Sequence, residues 1–267
     1  MSESAKVADL LKMSEAEKLF NEVHARCLDR WRFILSFRTT SRTGMEAAKK
    51  QIEAEKITFV TDLLNGTDYD KVLIDKEAFF KQNPPEKIVQ SMTEQTIHET
   101  EVAMNAASIV FAHSVLDGAV FDYCRVTALV APEDWASVVE KRKLTLAEMR
   151  ETDYARMLRQ TLKEFFGALE RESLFTKANH LFARCKPPNK WSPMHNYEYD
   201  KDRLLKLDSF RHDVIHGQGV RKKLDNPEDE VEYLMKTALF YMGLVNLRYG
   251  LQLNPLYTFT LMSEFGK

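Results

Sequence analysis

The chain has 267 residues, of which 44% are hydrophobic and 29% are charged, and its formal net charge is −2. This composition is typical of a globular protein with one large domain, or with one domain and a helical extension. It excludes a strongly basic nucleic-acid footprint over the whole surface, while a local basic patch stays open.

The three cysteines, Cys27, Cys124 and Cys185, are widely spaced and form no Cys-x-x-Cys pair. A structural zinc site of the usual spacing is therefore not expected, and the small, odd number of cysteines indicates a reducing compartment. The N-terminal residues contain no apolar leader, and no run of 18 apolar residues occurs. We therefore expect a soluble cytoplasmic protein that has no membrane partner.

Apolar residues recur at steps of three and four along most of the chain, and no segment alternates as a β-strand does. This pattern predicts an amphipathic helix from about residue 4 to residue 37, followed by a polar loop over residues 39–44. A second helix is predicted from residue 45 to about residue 64, where Asn65-Gly66 ends it. The expected fold class is all-α.

Pro84-Pro85 is the predicted domain boundary, because proline suits the first turn of a helix and is excluded from its interior. We expect an N-terminal helical extension over residues 1–83 and a helical domain over residues 84–267. The domain begins with a helical stretch from Glu86 to about Val130, as one helix or two, whose strongly apolar second half indicates a central core helix. Ala131-Pro132 is expected to end this stretch.

Polar residues that cap helices mark the later elements. Thr145–Glu148 has the pattern of a capping box, and Ser173 is expected to cap a shorter helix. Asp200 or Asp202 is expected to begin the next helix. A last long helix is predicted from about residue 227 to residue 251.

The segment Phe210–Gly217 reads Phe-Arg-His-Asp-Val-Ile-His-Gly and places one arginine and two histidines within six residues. Imidazole side chains titrate near neutral pH, and an arginine is a permanently charged hydrogen-bond donor. Such side chains together can bind or cleave a phosphodiester. This segment is therefore the candidate functional site, and two interpretations of it are open.

The first interpretation is a metal site. Asp208, His212 and His216 follow one another at steps of four residues, so that one helical face would carry all three. His-x-x-x-His is a metal-ligand spacing, and Asp213 stands where the His-Glu-x-x-His zinc motif has its glutamate base.

The second interpretation takes Arg211 and His216 as the active pair, with His212 or Asp213 in support. Residues five apart on an ideal helix lie about 140° apart, so these two side chains share a face only if the helix ends near His216. Gly217 and Gly219 permit such an ending, because glycine tolerates the left-handed conformation at a helix C-terminus. His216 can then turn toward Arg211, or toward the arginine of a second subunit.

Residues 204–217, Leu-Leu-Lys-Leu-Asp-Ser-Phe-Arg-His-Asp-Val-Ile-His-Gly, resemble the signature of the HEPN superfamily. That signature is an arginine, a polar residue, about three further residues and a histidine, often followed by glycine. Arg211, His212 and His216 match it in turn.

Three further segments resemble the family in the order in which it has them. Residues 108–124, with Asp117, resemble the first core helix and its inward acidic residue. Residues 172–177 and the helix after them resemble the middle helix, and the helix after Pro227 resembles the closing one. The resemblance covers about residues 98–255, and the N-terminal extension lies outside it.

The resemblance implies an all-α bundle that forms a symmetric homodimer, in which two copies of the motif face one composite cleft. Many proteins of this family are metal-independent ribonucleases of toxin–antitoxin or antiviral systems, and no cofactor is implied. The resemblance further implies His216 as general acid or base, Arg211 as a clamp on the phosphate and His212 as an orienting or supplementary group. Asp117 would hold Arg211 or a histidine in place.

Arg221, Lys222 and Lys223 directly follow the motif and are predicted to bind the phosphates of the substrate. The expected partners are RNA, a second copy of the chain and an antitoxin or other regulatory protein. One alternative is a catalytically silent HEPN-like module for dimerisation or partner binding, with the N-terminal helices as its docking surface. In the other, Arg211 and His216 only cap carbonyl groups at a helix end.

Overall fold

The computed structural model describes residues 3–66, 81–139, 153–186, 197–217 and 224–253. Every regular element in these ranges is a helix, and none of the described residues lies in a β-strand, which confirms the predicted all-α class. The α-helices are α1 (Glu3–Gly66), α2 (Pro85–Val130), α3 (Ala136–Val139), α4 (Tyr154–Leu169), α5 (Leu174–Arg184), α6 (Lys201–Ile215) and α7 (Pro227–Tyr249). A 3-10 turn, Pro132–Trp135, lies between α2 and α3.

The chain divides into two compact units, and helices α1, α2 and α6 each contribute residues to both. Among the described residues, unit 1 comprises residues 3–32, 111–139, 153–186, 197–207 and 228–253, and unit 2 comprises residues 33–66, 81–110, 208–217 and 224–227. Residue 84, at the predicted domain boundary, lies within unit 2. The division into an extension over residues 1–83 and a domain over residues 84–267 stays a prediction.

Helix α1 runs without a break through residues 39–44, where the sequence predicts a polar loop. The hydroxyl of Thr39 donates a hydrogen bond to the carbonyl oxygen of Leu35 at 3.0 Å, so this side chain is accommodated inside the helix. Gly44 is also helical, at a cost of about 1 kcal/mol relative to alanine. The loop prediction is wrong because polar residues without a proline weaken a helix but do not interrupt it.

Helix α2 is one continuous helix, and proline stands at both of its ends. Pro85 is its first residue, and the carbonyl oxygen of Pro84 accepts hydrogen bonds from the backbone N–H groups of Lys87 and Ile88. Pro132 follows its last residues and opens the 3-10 turn. The start and stop signals at these prolines are therefore confirmed.

The second half of α2 is a core helix of unit 1, as predicted. Its side chains that are at most 3% exposed include those of Val115, Leu116, Ala119, Val120, Tyr123 and Cys124. The ring of Phe20 in α1 packs on Tyr123, with ring centroids 6.0 Å apart. Helix α2 is also long and apolar enough to span a membrane, but half of its apolar 18-residue stretch is buried inside the protein.

Hydrogen bonds from helix α7 hold residues 197–200, the segment that leads into α6. The hydroxyl of Tyr233 donates a hydrogen bond to the carbonyl oxygen of Asp200 at 2.7 Å and accepts one from the backbone N–H of Asp200 at 3.0 Å. Tyr197 is buried and donates its own hydroxyl proton toward Thr237 at 2.9 Å. These contacts within unit 1 set the point from which α6 starts.

Candidate active site

Helix α6 carries the Arg-His segment, and local hydrogen bonds set both of its ends. The carboxylate of Asp200 accepts a hydrogen bond from the backbone N–H of Arg203 at 3.0 Å, so Asp200 is the residue that caps the start. The helix ends at Ile215, and Gly217 adopts a φ of +74°, the left-handed conformation that favours glycine. The expected ending near His216 is therefore confirmed.

The imidazole rings of His212 and His216 lie against each other at this helix end. Their centroids are 4.3 Å apart and their planes are tilted by 49°. The backbone N–H of His216 donates to the carbonyl oxygen of His212 at 3.0 Å, so the helical spacing extends one residue past Ile215. Both histidines are exposed. The structure thus brings these two predicted site residues together within reach of solvent.

Arg211 is held by Asp208, which precedes it by one turn on α6. Its Nη2 and Nε atoms lie 3.3 Å and 3.4 Å from Oδ1 of Asp208. The two side chains are 34% and 28% exposed, and such a helical ion pair contributes only about 0.2–0.5 kcal/mol to stability. Its main effect is on orientation, because it restricts the planar guanidinium of Arg211. The sequence pattern assigned Asp208 to a metal site and missed this role.

Asp208, His212 and His216 do not form the metal group of the first interpretation. In the part of the chain that the structure describes, no three His, Cys, Asp or Glu side chains are placed to hold a metal ion together. The carboxylate of Asp208 is paired with Arg211, with Oδ1 3.3 Å from Nη2. A zinc site with three protein ligands on this face therefore has no support among the described residues.

Asp117 lies in α2 within unit 1, and its partner there is Lys177 of α5. The Nζ atom of Lys177 lies 2.7 Å from Oδ2 and 2.9 Å from Oδ1 of Asp117. The Lys177 side chain is 2% exposed and that of Asp117 is 32% exposed. Lys177 was not predicted as a neighbour, since 60 positions separate the pair and no local pattern links them. The role of Asp117 in holding Arg211 or a histidine stays a prediction.

The predicted phosphate-binding residues Arg221, Lys222 and Lys223 lie outside the described residues. The predicted capping box Thr145–Glu148 also lies outside them. Their roles therefore stay predictions, and the described part of the candidate site consists of Asp208, Arg211 and the two histidines.

A scan against protein-family models and searches of curated proteins and of solved structures found no match to this chain. The case for a function therefore rests on the side chains at the end of α6 and on the sequence resemblance that they carry.

Proposed function

We propose that this protein is a metal-independent RNA endonuclease of the HEPN type that acts as a homodimer. The observation that carries the proposal is the exposed ring pair of His212 and His216, with centroids 4.3 Å apart, on the helix end that also bears Arg211. This short segment presents two groups that can exchange protons and one that carries a fixed positive charge. The resemblance of residues 204–217 to the HEPN signature supports RNA as the substrate class.

RNA supplies its own nucleophile, the 2′-hydroxyl of the nucleotide before the scissile phosphate. In the proposed reaction His216 takes the hydroxyl proton as the 2′-oxygen attacks phosphorus, and a 2′,3′-cyclic phosphate forms while the bond to the 5′-oxygen breaks. His212, or a water molecule, gives a proton to the leaving 5′-oxygen. Arg211 donates hydrogen bonds to the phosphate oxygens as negative charge grows on them.

Cleavage of a defined RNA by tag-free protein in excess EDTA tests the proposal. The wild type is expected to leave a 2′,3′-cyclic phosphate and to spare a substrate with a 2′-deoxynucleotide before the cut site. His216→Ala should slow cleavage by about 10²–10⁴-fold, the usual contribution of general acid–base catalysis. His98→Ala removes an exposed histidine of α2 and is the matched control, which should cleave like the wild type.

Equal cleavage by the wild type and His216→Ala would contradict this assignment. So would the absence of cleavage by the wild type across a panel of single-stranded and structured RNAs. Cleavage that EDTA abolishes would replace the proposal with the metal interpretation.

A subunit-mixing experiment tests the composite site. If Arg211 of one subunit acts with His216 of the other, a heterodimer of Arg211→Ala and His216→Ala chains contains one intact site, although each variant alone contains none. Activity should therefore return after the two inactive variants are unfolded and refolded together. A chain that light scattering shows to be monomeric at the assay concentration would count against the composite site.

The biological setting that we propose is a cytoplasmic toxin or antiviral defence effector that a protein antitoxin or regulator holds inactive. Co-expression offers a direct test. The wild type should arrest growth and His216→Ala should not, and a genuine inhibitor should restore growth of the wild type.

A second candidate function is a catalytically silent module for dimerisation or partner binding. It is favoured by an exposed aromatic pair on α1 within unit 2, where Phe33 is 60% and Phe37 is 41% exposed. Their rings stack at 6.3 Å with an interplanar angle of 18°. Clustered aromatic side chains on a surface are typical of binding sites. Under this alternative, the wild type should cut no RNA. The double variant Phe33→Ser, Phe37→Ser should then bind its partner, or a second copy of the chain, more weakly than the wild type does.

A further inference from the structure

We propose that His212 and His216 form a two-histidine site for a late first-row divalent cation such as Zn²⁺ or Cu²⁺. The occupied site would block the ribonuclease reaction, and this second part rests on the proposed function. The cation would act as a reversible inhibitor and not as a catalyst.

The backbone already gives the two imidazoles the required spacing. His216 N–H donates to the carbonyl oxygen of His212 at 3.0 Å, so the two residues keep the helical i, i+4 relation. Side chains so related have Cβ atoms about 5–6 Å apart. Imidazole is a preferred ligand of zinc, copper and nickel, and two histidines four residues apart on one helix recur in metal sites.

The separation of the two rings is close to the separation that two ligands of one metal ion need. The observed centroids are 4.3 Å apart. With metal–nitrogen bonds of about 2.0–2.1 Å, two neighbouring imidazole ligands have ring centres roughly 4.5–5 Å apart. The ring separation must therefore increase by less than about 1 Å. Rotation about the side-chain bonds of two exposed histidines can supply this increase and turn a nitrogen of each ring toward the ion.

The remaining coordination positions would be filled by water. Asp208, one turn before His212 on the same helix, is held by Arg211 at 3.3 Å. No set of three His, Cys, Asp or Glu ligands occurs among the described residues. A site with two protein ligands on an exposed helix end is open and exchangeable, and it binds more weakly than a closed structural zinc site.

Occupancy would stop the proposed reaction for a simple reason. A nitrogen lone pair that is bonded to a metal ion cannot accept a proton from a 2′-hydroxyl. The bound cation would also link the last turn of α6 to His216 and stabilise the folded chain, since it binds the folded state better than the unfolded one.

Metal binding is measured first, without RNA, on tag-free protein that has been freed of EDTA. Titration calorimetry should detect one Cu²⁺ or Zn²⁺ site per chain, tighter for Cu²⁺ as the Irving–Williams order requires, and no response to Mg²⁺. His212→Gln and His216→Gln each remove one of the two ligands and should each weaken binding by more than about 10-fold, since loss of a mere hydrogen-bond partner of a metal-bound histidine already costs about 10–100-fold. His98→Gln, at another exposed histidine, should bind like the wild type.

Pulsed EPR of the Cu²⁺ complex provides a second readout, because it detects the remote nitrogen of each bound imidazole. We expect two histidine ligands in the wild type and one in either glutamine variant. Unchanged metal affinity in both variants, or a spectrum with a single imidazole that neither variant alters, would overturn the site.

Inhibition is then measured on RNA cleavage. Zn²⁺ should stop cleavage by the wild type at concentrations that fill the site, and EDTA should restore it. A protein that binds the cation through both histidines but never cuts RNA would refute the proposed function and leave the site standing. A protein that cuts RNA equally well with the site filled would refute the inhibitory role alone.

Discussion

The ammonium group of Lys177 lies between the two carboxylate oxygens of Asp117, at 2.7 Å and 2.9 Å, and the lysine side chain is only 2% exposed. A charge that is so buried needs a partner, because removing an ammonium ion from water costs several kcal/mol. The Sγ atom of Cys124 in α2 also lies 3.4 Å from the carbonyl oxygen of Lys177. The ion pair thus ties α5 to the core helix α2 within unit 1.

Asp117→Asn should destabilise the protein by about 3 kcal/mol, at the low end of the range for broken buried pairs, because it leaves the Lys177 charge buried. Lys177→Met should cost less, since Asp117 is 32% exposed and can be hydrated. The double variant should recover much of the loss. Urea unfolding of the four proteins gives the coupling free energy, and strictly additive losses would show that the pair does not interact.

The buried imidazole of His24 should make the protein less stable as the pH falls. This residue is fully buried, and burial lowers the pKa of its imidazole from 6.5 to about 4. The unfolded chain therefore takes up a proton before the folded one, so this contribution to stability is complete above pH 6.5 and is lost as the pH falls toward 4. The loss should reach roughly 3 kcal/mol. Urea unfolding between pH 7 and pH 4 measures it.

His24→Gln is the control for this pH dependence. Glutamine does not titrate, so the variant should lose less stability than the wild type between pH 6.5 and pH 4, whatever its stability at pH 7. The same slope in both proteins would exclude His24 as the source of the effect.

The three cysteines should be unreactive in the folded protein. Cys27, Cys124 and Cys185 are buried free thiols, and burial raises the pKa of each to about 12. The thiolate is the reactive form, so at pH 8 a thiol reagent should react only as fast as the protein unfolds. In denaturant, all three thiols of each chain should react with the reagent. Rapid labelling of the native protein would show that a thiol is accessible.

Replacement by alanine should change the free energy of unfolding in opposite directions at two glycines. Gly44 is helical and exposed, and a Cβ atom there would meet nothing within 4 Å, so Gly44→Ala should stabilise the protein by about 0.5–1 kcal/mol. Gly217 has a φ of +74°, so Gly217→Ala should destabilise it by about 1–2 kcal/mol. Urea unfolding measures both. A destabilising Gly44→Ala would contradict the continuous helix α1.

Substitution of Arg211 and substitution of Asp208 should lower the rate of RNA cleavage by different amounts. Arg211→Ala removes the proposed phosphate clamp, and we expect a loss of kcat of about 10²–10³-fold, as for other transition-state donors. Asp208→Asn only loosens the orientation of Arg211, so its loss should be smaller and should disappear in the Arg211→Ala background. Single-turnover RNA cleavage measures these effects, and independent losses would place Asp208 in a different role.

Helix ends were predictable where a single residue sets them, through a side-chain hydrogen bond at the start or a left-handed glycine at the end. Ser173 accepts a bond from the N–H of Thr176 at 3.2 Å, as its place before an apolar run predicts. Asp200 caps α6 in the same way, and Gly217 ends it. Such signals act over three or four residues and need no knowledge of the rest of the chain. Residues 39–44 mark the limit, because a helix is cooperative and continues through residues that only disfavour it.

The sequence by itself determined that the chain is helical, where several of its helices begin and end, and that residues 211–216 concentrate the reactive side chains. The spacing of His212 and His216 also placed them on one helical face. Only the tertiary structure decided that Asp117 bonds to Lys177, 60 positions later. Such a partner is chosen by how α2 and α5 pack, and packing depends on apolar burial summed over many residues, which no local pattern records.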